Sequence, residues 1–429
     1  MKYTEARFIL DGLPSLKVKP GLARINRLLD VLDHPERAFR AIHIAGTNGK
    51  GSVAAMLSSI LLQAGYRVGR FTSPDLIDFR DRISVNNRWI SEEDVAGRVE
   101  QILPVLKSAE DRPTLFEVLT AIAFAHFAKS RVKLAVVEVG LGGRFDATNV
   151  LDPLLTILTN VGRDHLALLG EMLKQIAWEK AGIAKAGVPF LAGELSPEAE
   201  EIIIKECEKA RAPLARCDPV AVERIAYDWK RTTYRIEASD LPETIDLALL
   251  GGYQGENLKI TLRAVELLRK AGFILSNDAV AAGLTDVSWP GRFEVMKLNP
   301  TIILDGAHNL PAALALAKDV KRYVPKRLHR HLLFGILSDK EAEAICHVLF
   351  PLFTKVTLTC SQSPRALPLD LLAKIASSLG VECKQAPSVE EGLISARSCL
   401  EAQDVLFVTG SLTVLREARP ILMEVPCRP

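Results

Sequence analysis

Short apolar runs rich in β-branched residues recur along the chain, and stretches with helical apolar spacing separate them. This alternation predicts an α/β fold in which helices cover mainly parallel sheets. The predicted strands span residues 41–45, 134–139, 154–158, 302–304, 332–337, 355–358 and 405–408. Because ligands of open α/β sheets bind beyond the carboxyl ends of strands, we expect the chemistry at the turns that begin at Gly46, Gly140, Asp305 and Gly410.

A Pro-Gly turn at residues 290–291 separates a helical pattern at 278–284 from a new series of strands. A chain of 429 residues is long enough for two hydrophobic cores. We therefore expect two domains, residues 1–287 and residues 292–429. The polar alternation of Thr232-Thr-Tyr-Arg-Ile-Glu237, within residues 212–250, further predicts a small sheet appended to the first domain.

Composition excludes several classes of protein. Lys plus Arg total 54 and Asp plus Glu total 52, so the net charge of +2 provides no large field for binding nucleic acid. Hydrophobic residues make up 48% of the chain, yet no apolar run reaches the roughly 18 residues that a membrane span needs. The seven cysteines form no C-x-x-C pair, which argues against a cysteine zinc site. We expect a cytoplasmic protein without nucleic-acid or membrane partners.

The segment Gly46-Thr-Asn-Gly-Lys-Gly-Ser52 lies between a predicted strand and a stretch with helical spacing at 53–62. A strand, a glycine-rich loop and a helix start are the context of a phosphate-binding loop, in which backbone N–H groups surround phosphate. Lys50 would reach the terminal phosphates and Ser52 could bind Mg²⁺. The spacing departs from G-x-x-x-x-G-K-[ST] because Gly51 separates Lys50 from Ser52. The alternative is a glycine-rich turn without a ligand.

Two other nucleotide-binding classes fit less well. A GTPase is expected to read guanine with N-K-x-D, and no asparagine in this chain is followed by lysine. A dehydrogenase is expected to carry G-x-G-x-x-G after its first strand, whereas the segment at 140–145 lacks the third glycine and lies far into the chain.

Six motifs in order resemble the folylpolyglutamate synthase/dihydrofolate synthase family, a branch of the Mur ligase superfamily. They occupy residues 46–52, 72–74, 138–149, 159–165, 179–183 and 305–309. The resemblance extends over nearly the whole chain, from residues 21–24 to residues 408–412. It implies a P-loop ATP-binding domain with a parallel sheet and a smaller Rossmann-like α/β C-terminal domain, with the active site between them.

The resemblance also implies an ATP- and Mg²⁺-dependent ligase that adds L-glutamate to a folate precursor or a folate. Nucleotide contacts would come from Gly46, Thr47, Asn48, Gly49, Lys50, Gly51, Ser52, Asn257, Arg292, Asp305 and His308. Metal ligands would be Ser52, Ser73, Glu138, His165 and Lys180. The residues with a catalytic role would be Lys50, Lys180 and His308.

Lys180 would be carbamylated by CO₂, as in the superfamily that it resembles. Without that resemblance, a lysine on the amphipathic stretch 172–183 would be read as a solvated helix residue. The chemistry is consistent, because burial lowers a lysine pKa and the neutral amine can capture CO₂. The resulting carbamate would be an additional anion for Mg²⁺.

The organic substrate that the resemblance implies carries flat rings, which need an aromatic wall and a few oriented polar groups. The resemblance places Phe116 in that wall and makes Arg82 a candidate for a substrate carboxylate. Asp146 and Ala147 resemble the form found in members that also accept dihydropteroate, which favours a bifunctional enzyme. We also expect a monomer. Where the family usually has histidine after Pro74, this chain has Asp75, so no role is carried over to that position.

Three alternatives stay open at this point. The protein could be a synthase of folate polyglutamates only, a Mur-type cell-wall peptide ligase or a non-catalytic nucleotide-binding regulator. The loop G-T-N-G-K-G-S, rather than a shorter G-T-x-G-K-T, disfavours the cell-wall ligase. The set of Lys50, Glu138, His165 and Lys180 disfavours the regulator.

Overall fold

The structure, a computed structural model, describes residues 1–14, 21–108, 111–164, 170, 172–238 and 240–424. Eight strands of the first part of the chain form one sheet. They are β1 (Arg40–Ala45), β2 (Val68–Phe71), β3 (Ile83–Val85), β4 (Arg88–Trp89), β5 (Leu134–Glu138), β6 (Leu155–Leu158), β7 (Phe190–Ala192) and β8 (Leu214–Arg216). Their order is β4-β3-β2-β5-β1-β6-β7-β8, and the pairings are parallel except those of β3 with β2 and β4.

The central strand β1 lies between β5 and β6, and all three are almost entirely buried. Such strands are covered by helices on both faces, which is why they read as continuous apolar runs. The register pairs Ile44 with Glu138 and Ala45 with Leu158. The loops after β1, β5 and β6 therefore leave the sheet side by side at one edge.

Nine described helices belong to this part of the chain. They are α1 (Tyr3–Asp11), α2 (Ala23–Val31), α3 (Lys50–Gln63), α4 (Glu92–Ser108), α5 (Leu115–Lys129), α6 (Leu173–Ala181), α7 (Pro197–Ala210), α8 (Gln254–Lys270) and α9 (Asn277–Thr285). Helix α3 is buried on every side from Ser52 to Leu61 because it packs between the sheet, α8 and α9. The phosphate-loop motif thus opens onto a helix fixed in the core.

The predicted appended sheet is present. It consists of the antiparallel strands β9 (Ala221–Tyr227), β10 (Thr232–Glu237) and β11 (Thr244–Leu247). Alternate residues of β10 and β11 face the core that also contains α3 and α8. The prediction began this sheet too early, since residues 214–216 instead extend the large parallel sheet as β8.

A second sheet of six strands follows. These are β12 (Glu294–Lys297), β13 (Thr301–Leu304), β14 (Arg330–Phe334), β15 (Lys355–Thr359), β16 (Cys383–Ala386) and β17 (Val405–Thr409). Their order is β12-β13-β17-β14-β15-β16, with only β12 antiparallel. The helices around it are α10 (Leu310–Tyr323), α11 (Ala342–Leu349), α12 (Leu369–Ser378), α13 (Val389–Arg397) and α14 (Leu412–Glu424).

All seven predicted strands are present, and the predicted α/β class is confirmed. The strand predicted at 332–337 is shifted to Arg330–Phe334, because Leu337 has left the sheet and forms an isolated bridge with Ala366. None of the described helices combines the length and the apolar composition that crossing a bilayer requires.

Candidate active site

The phosphate-loop motif adopts a backbone that only glycine accommodates at two positions. Gly46 has φ 149° and Gly49, which precedes α3, has φ 85°. A Cβ on Gly46 would lie 1.8 Å from the hydroxyl oxygen of Thr159, and one on Gly49 would lie 2.2 Å from the amide oxygen of Asn257. The loop is therefore enclosed by the turn after β6 on one side and by the first turn of α8 on the other, with its backbone held against the amino end of α3.

The structure gives a reason for the additional glycine between Lys50 and Ser52. The indole ring of Trp289 lies over Gly51, where a Cβ would come within 2.6 Å of the ring. The guanidinium of Arg70 covers the same indole, 5.2 Å from its ring centre. Trp289 belongs to the segment that connects the two sheets, so this connection packs directly on the loop.

Two lysines converge on the loop. The Nζ atoms of Lys50 and Lys180 donate to the carbonyl oxygen of Gly46 at 3.0 and 2.9 Å. Burial, assisted by the positive charge of Lys50, lowers the pKa of Lys180 to about 7. Lys180 lies on the buried side of α6, so a substantial fraction of it is a neutral amine near neutral pH.

Glu138, at the end of β5, places a carboxylate beside the phosphate loop. It is buried, its Oε1 lies 3.8 Å from Nζ of Lys50, and its Oε2 accepts from the backbone N–H of Ser73 at 3.3 Å. Burial raises the pKa of Glu138, while Lys50 and Ser73 oppose this effect. The hydroxyl of Ser52 accepts from the amide of Gln254 at 3.3 Å.

These groups fit a magnesium ion that binds together with a nucleotide. Mg²⁺ commonly takes one or two carboxylates and completes its octahedron with substrate phosphates and water. Glu138 with the hydroxyls of Ser52 and Ser73 is such a partial set. In the described part of the chain, no cluster of three His, Cys, Asp or Glu side chains could hold a metal without a substrate. His165, the other predicted ligand besides Lys180, lies outside the described residues.

Residues of the C-terminal domain lie opposite the phosphate loop and form the other side of the site. Asp305 is buried after β13 and accepts from the hydroxyl of Tyr253 at 3.0 Å and from the backbone of Phe293 and Ala307 at 2.9 Å each. Burial raises the pKa of Asp305, whereas the charge of Arg292 lowers it. Nδ1 of His308 donates to the carbonyl oxygen of Gly306 at 2.7 Å, which leaves Nε2 directed toward the first domain.

Polar contacts join the two walls across the cleft. Asn48 and Asn309 exchange hydrogen bonds through their side-chain amides at 3.2 and 3.0 Å. Asp164 accepts from Asn309 at 2.9 Å and from the ammonium of Lys340 at 2.7 Å. Lys340, Asp164 and Tyr253 were missing from the predicted site. Asp164 belongs to the motif at 159–165 but was given no role there, whereas Lys340 and Tyr253 lie in turns outside the six motifs. The contacts of these residues with the other domain form only where the two domains meet.

A first cavity of about 450 Å³ lies between these walls. The predicted nucleotide and metal residues that the structure describes all line it: Gly46, Thr47, Asn48, Gly49, Lys50, Gly51, Ser52, Ser73, Glu138, Lys180, Asn257, Arg292, Asp305 and His308. A second cavity, of about 650 Å³, contains the predicted substrate residues Arg82, Phe116, Asp146 and Ala147. The two cavities share six residues: Ser73, Pro74, Gly140, Leu141, His308 and Leu412.

The lining of the second cavity includes an aromatic ring and a hydrogen-bonded carboxylate among the predicted substrate residues. The ring of Phe116 lies against Gly140, where a Cβ would come within 2.5 Å of it. Asp146 is buried and accepts from the backbone of Leu141 at 2.9 Å and from the backbone and hydroxyl of Thr148. Burial raises the pKa of Asp146, which these donors partly offset. Arg82 is engaged by the carboxylate of Asp75.

A phosphate loop facing a second α/β domain across a two-part cleft is the arrangement of a Mur ligase. The sequence matches the Mur ligase middle domain over residues 44–265 and the Mur ligase glutamate ligase domain over residues 291–412. A dihydrofolate synthase/folylpolyglutamate synthase of Bacillus subtilis is 36% identical, over 97% of this chain and 98% of its own length. The chain belongs to the dihydrofolate synthase/folylpolyglutamate synthase family.

Solved structures agree with this assignment. The structure of Mycobacterium tuberculosis folylpolyglutamate synthase complexed with ADP has a TM-score of 0.90 and 34% identity, and 99% of each chain is covered. A bifunctional folylpolyglutamate synthase/dihydrofolate synthase of Yersinia pestis, complexed with AMPPNP and Mn ion, has a TM-score of 0.85 at 26% identity. That comparison covers 99% of this chain and 98% of the other. The predicted family and ligase class are confirmed.

Proposed function

We propose that this protein joins L-glutamate to dihydropteroate and to folate polyglutamates, with conversion of ATP to ADP and phosphate. The main observation in support is the wall shared by the two cavities, because it places the phosphate loop beside a space for a flat organic acid. The ADP and AMPPNP complexes of the relatives support ATP as the nucleotide. Membership of the family supports the folate substrates.

The proposed reaction activates the carboxylate before the amine attacks. A carboxylate oxygen of the pteridine substrate attacks the γ-phosphorus of ATP, the bond from that phosphorus to the bridging oxygen breaks, and ADP leaves. The neutral amine of L-glutamate then attacks the carbonyl carbon of the acyl phosphate, loses a proton and displaces phosphate. Closure of the domains over this intermediate keeps water away from the labile anhydride.

Residues of both domains support these two steps. Lys50 and Arg292 place fixed positive charge in the first cavity, where charge is redistributed during phosphoryl transfer. His308 lines both cavities, so its imidazole can contact the transferring phosphoryl group and the incoming amine substrate. Asn257 and Asp305 contact the nucleotide in this proposal, as do the backbone N–H groups of the loop at 46–52.

Magnesium supplies charge neutralisation for the nucleotide phosphates when it is bound. Ser52, Ser73 and Glu138 would hold one ion, and His165 with Lys180 would hold a second. The Mn ion in the Yersinia pestis complex supports a divalent cation in this family's site.

Lys180 is carbamylated in this proposal. The neutral amine attacks the carbon of CO₂ and loses a proton, which converts an uncharged amine into an anion suited to Mg²⁺. The buried position of Lys180 and its lowered pKa support this chemistry at neutral pH.

Bifunctionality is the finer part of the proposal. Asp146 and Ala147 at the wall of the second cavity support acceptance of dihydropteroate as well as folates. Activity on folate polyglutamates alone is the competing assignment. We also place the domain boundary between residues 287 and 292 and assign the protein to the cytoplasm as a monomer.

A coupled assay of ADP and phosphate release tests the function. Dihydropteroate, tetrahydrofolate and a UDP-muramoyl peptide are each supplied with and without L-glutamate. We expect L-glutamate-dependent release with the first two and none in a folded Lys50→Ala variant. Release of ADP and phosphate with the UDP-muramoyl peptide, and with neither of the other two substrates, would identify a cell-wall ligase instead.

An isotope experiment tests the intermediate. With ¹⁸O in the substrate carboxylate, one labelled oxygen must appear in the released phosphate. Unlabelled phosphate, or AMP and pyrophosphate as products, would exclude the acyl phosphate.

A further inference from the structure

Asp75 lies at the junction of the two domains, in the loop between β2 and β3. Only 9% of its side chain is exposed. Its Oδ1 accepts from Nε of Arg82 at 2.8 Å, and its Oδ2 accepts from Nη2 of Arg416 at 2.5 Å. The same nitrogen of Arg416 also donates to the backbone carbonyl of Asp75 at 3.0 Å. One carboxylate therefore pairs with an arginine of its own domain and with one on α14 of the other.

The loop that carries Asp75 is closed and internally braced. The backbone N–H of Thr72 donates to the carbonyl of Arg82 at 3.0 Å, which brings its two ends together. Within it, a carboxylate oxygen of Asp81 accepts from the backbone N–H groups of Leu76 and Ile77 at 2.9 and 2.8 Å. Because of these hydrogen bonds, a displacement of Asp75 would also displace the rest of the loop.

The loop also reaches into the second domain through an apolar contact. Leu76 packs against the core cluster of the C-terminal domain that includes Leu415 of α14. Toward the first domain, the backbone of Ser73 binds Glu138. Residues 73–76 therefore connect the candidate metal carboxylate at one end to α14 at the other.

We propose that Asp75 is a positioning residue that, by pairing with Arg82 and Arg416, holds the Ser73 segment against Glu138 when the two domains are together. Burial alone would raise the pKa of Asp75, but the two guanidinium groups outweigh it and keep the carboxylate charged. Since Asp75, Arg82 and Arg416 all line the second cavity, closure of this contact also shapes the space for the organic acid.

The kinetic part of the test rests on the proposed function. Asp75→Asn keeps the shape and removes the charge, and Arg416→Gln removes the partner from the other domain. We expect each to lower kcat about tenfold while affinity for an ATP analogue stays within about twofold, and the double variant to be no worse than the poorer single variant. Asp75→Glu should recover part of the rate. If the kcat reductions of the two single variants multiplied in the double variant, the inference would be overturned.

Arg419 provides a matched control on the same helix. It pairs with Glu294 inside the C-terminal domain, at 2.9 Å for the shortest contact, and makes no contact with Asp75. Arg419→Gln should therefore keep kcat within about twofold of the wild type. If Arg419→Gln lowered kcat as much as Arg416→Gln, the reduction would come from a disturbance of α14 and not from loss of the contact between domains.

Amide hydrogen exchange gives a second readout that needs no organic substrate. The amides of Leu76 and Ile77 should exchange faster in Asp75→Asn and in Arg416→Gln than in the wild type or in Arg419→Gln. Unchanged exchange in both variants would refute the positioning role. If the wild type released no phosphate with either pteridine substrate, the proposed function would fail and the exchange comparison would still decide the role of Asp75.

Discussion

The ammonium nitrogen of Lys180 lies 2.9 Å from the carbonyl oxygen of Gly46, so a residue of α6 contacts the first residue of the phosphate loop. Removal of the side chain should abolish turnover, because the candidate second metal site loses its anion. We expect Lys180→Ala to release less than about 1% of the wild-type phosphate, and a short carboxylic acid in excess to restore part of it.

Mass spectrometry of the intact protein checks the same point independently. Bicarbonate should add the mass of CO₂ to the wild type and not to Lys180→Ala. An unmodified, fully active wild type in the absence of CO₂ would contradict carbamylation.

Thr148 should tune the affinity for the pteridine substrate. Its hydroxyl donates to Asp146 and accepts from Nε2 of His43 at 2.7 Å, forming a chain from β1 to the wall of the second cavity. Thr148→Val removes both hydrogen bonds at nearly constant volume. We expect KM for dihydropteroate to rise about tenfold, as for the loss of a buried hydrogen bond, with KM for ATP unchanged. Thr148→Ser is the control, and equal KM values for the two variants would contradict the prediction.

Two glycine substitutions should change stability in opposite directions. A Cβ on Gly283 of α9 would lie 2.5 Å from the Cα of Ile60 in α3, so Gly283→Ala must push these helices apart. We expect its free energy of unfolding to fall by about 1–3 kcal/mol. Gly97 in α4 has no atom within 4 Å of the corresponding position, and Gly97→Ala should gain up to about 1 kcal/mol. Urea unfolding measures both.

His43 should make the protein sensitive to acid. Complete burial lowers the pKa of His43 to about 3, from an ordinary value of 6.5. Between these values the unfolded chain binds a proton that the folded chain does not, so stability decreases as pH falls through 6.5. This contributes a loss of about 2 kcal/mol between pH 7 and pH 5.

The His43→Gln variant isolates that contribution, because it lacks the titrating ring and keeps a side-chain donor for Thr148. The difference in unfolding free energy between wild type and variant should change by about 2 kcal/mol over this range. Parallel pH profiles would show that His43 titrates as it does in the unfolded chain.

Sequence patterns revealed the residues that follow buried strands made of continuous apolar runs. The loops after β1, β5 and β13 were located because those strands are continuous apolar runs and because parallel strands bring their carboxyl ends together. Strand β2 was missed because Gly69 and Arg70 interrupt its apolar run, and β7 was missed because three residues are too few to show a period. Asp75 lies in a loop without a pattern, and its partner Arg416 is more than 300 positions away in the sequence. Contacts of this kind depend on how two domains meet.

Tyr323 of α10 packs against Tyr227, the last residue of β9, and against Trp229 in the turn between β9 and β10, with ring centroids 4.9 and 5.3 Å from its own. The parts of the molecule that contain the two large sheets are therefore joined by an aromatic surface as well as by the peptide segment between α9 and β12. Two polypeptides divided within that segment would each expose one side of this surface. Burial of the rings would favour their reassociation, so the protein is suited to fragment complementation, in which recovered ligase activity reports that two separately produced halves have met.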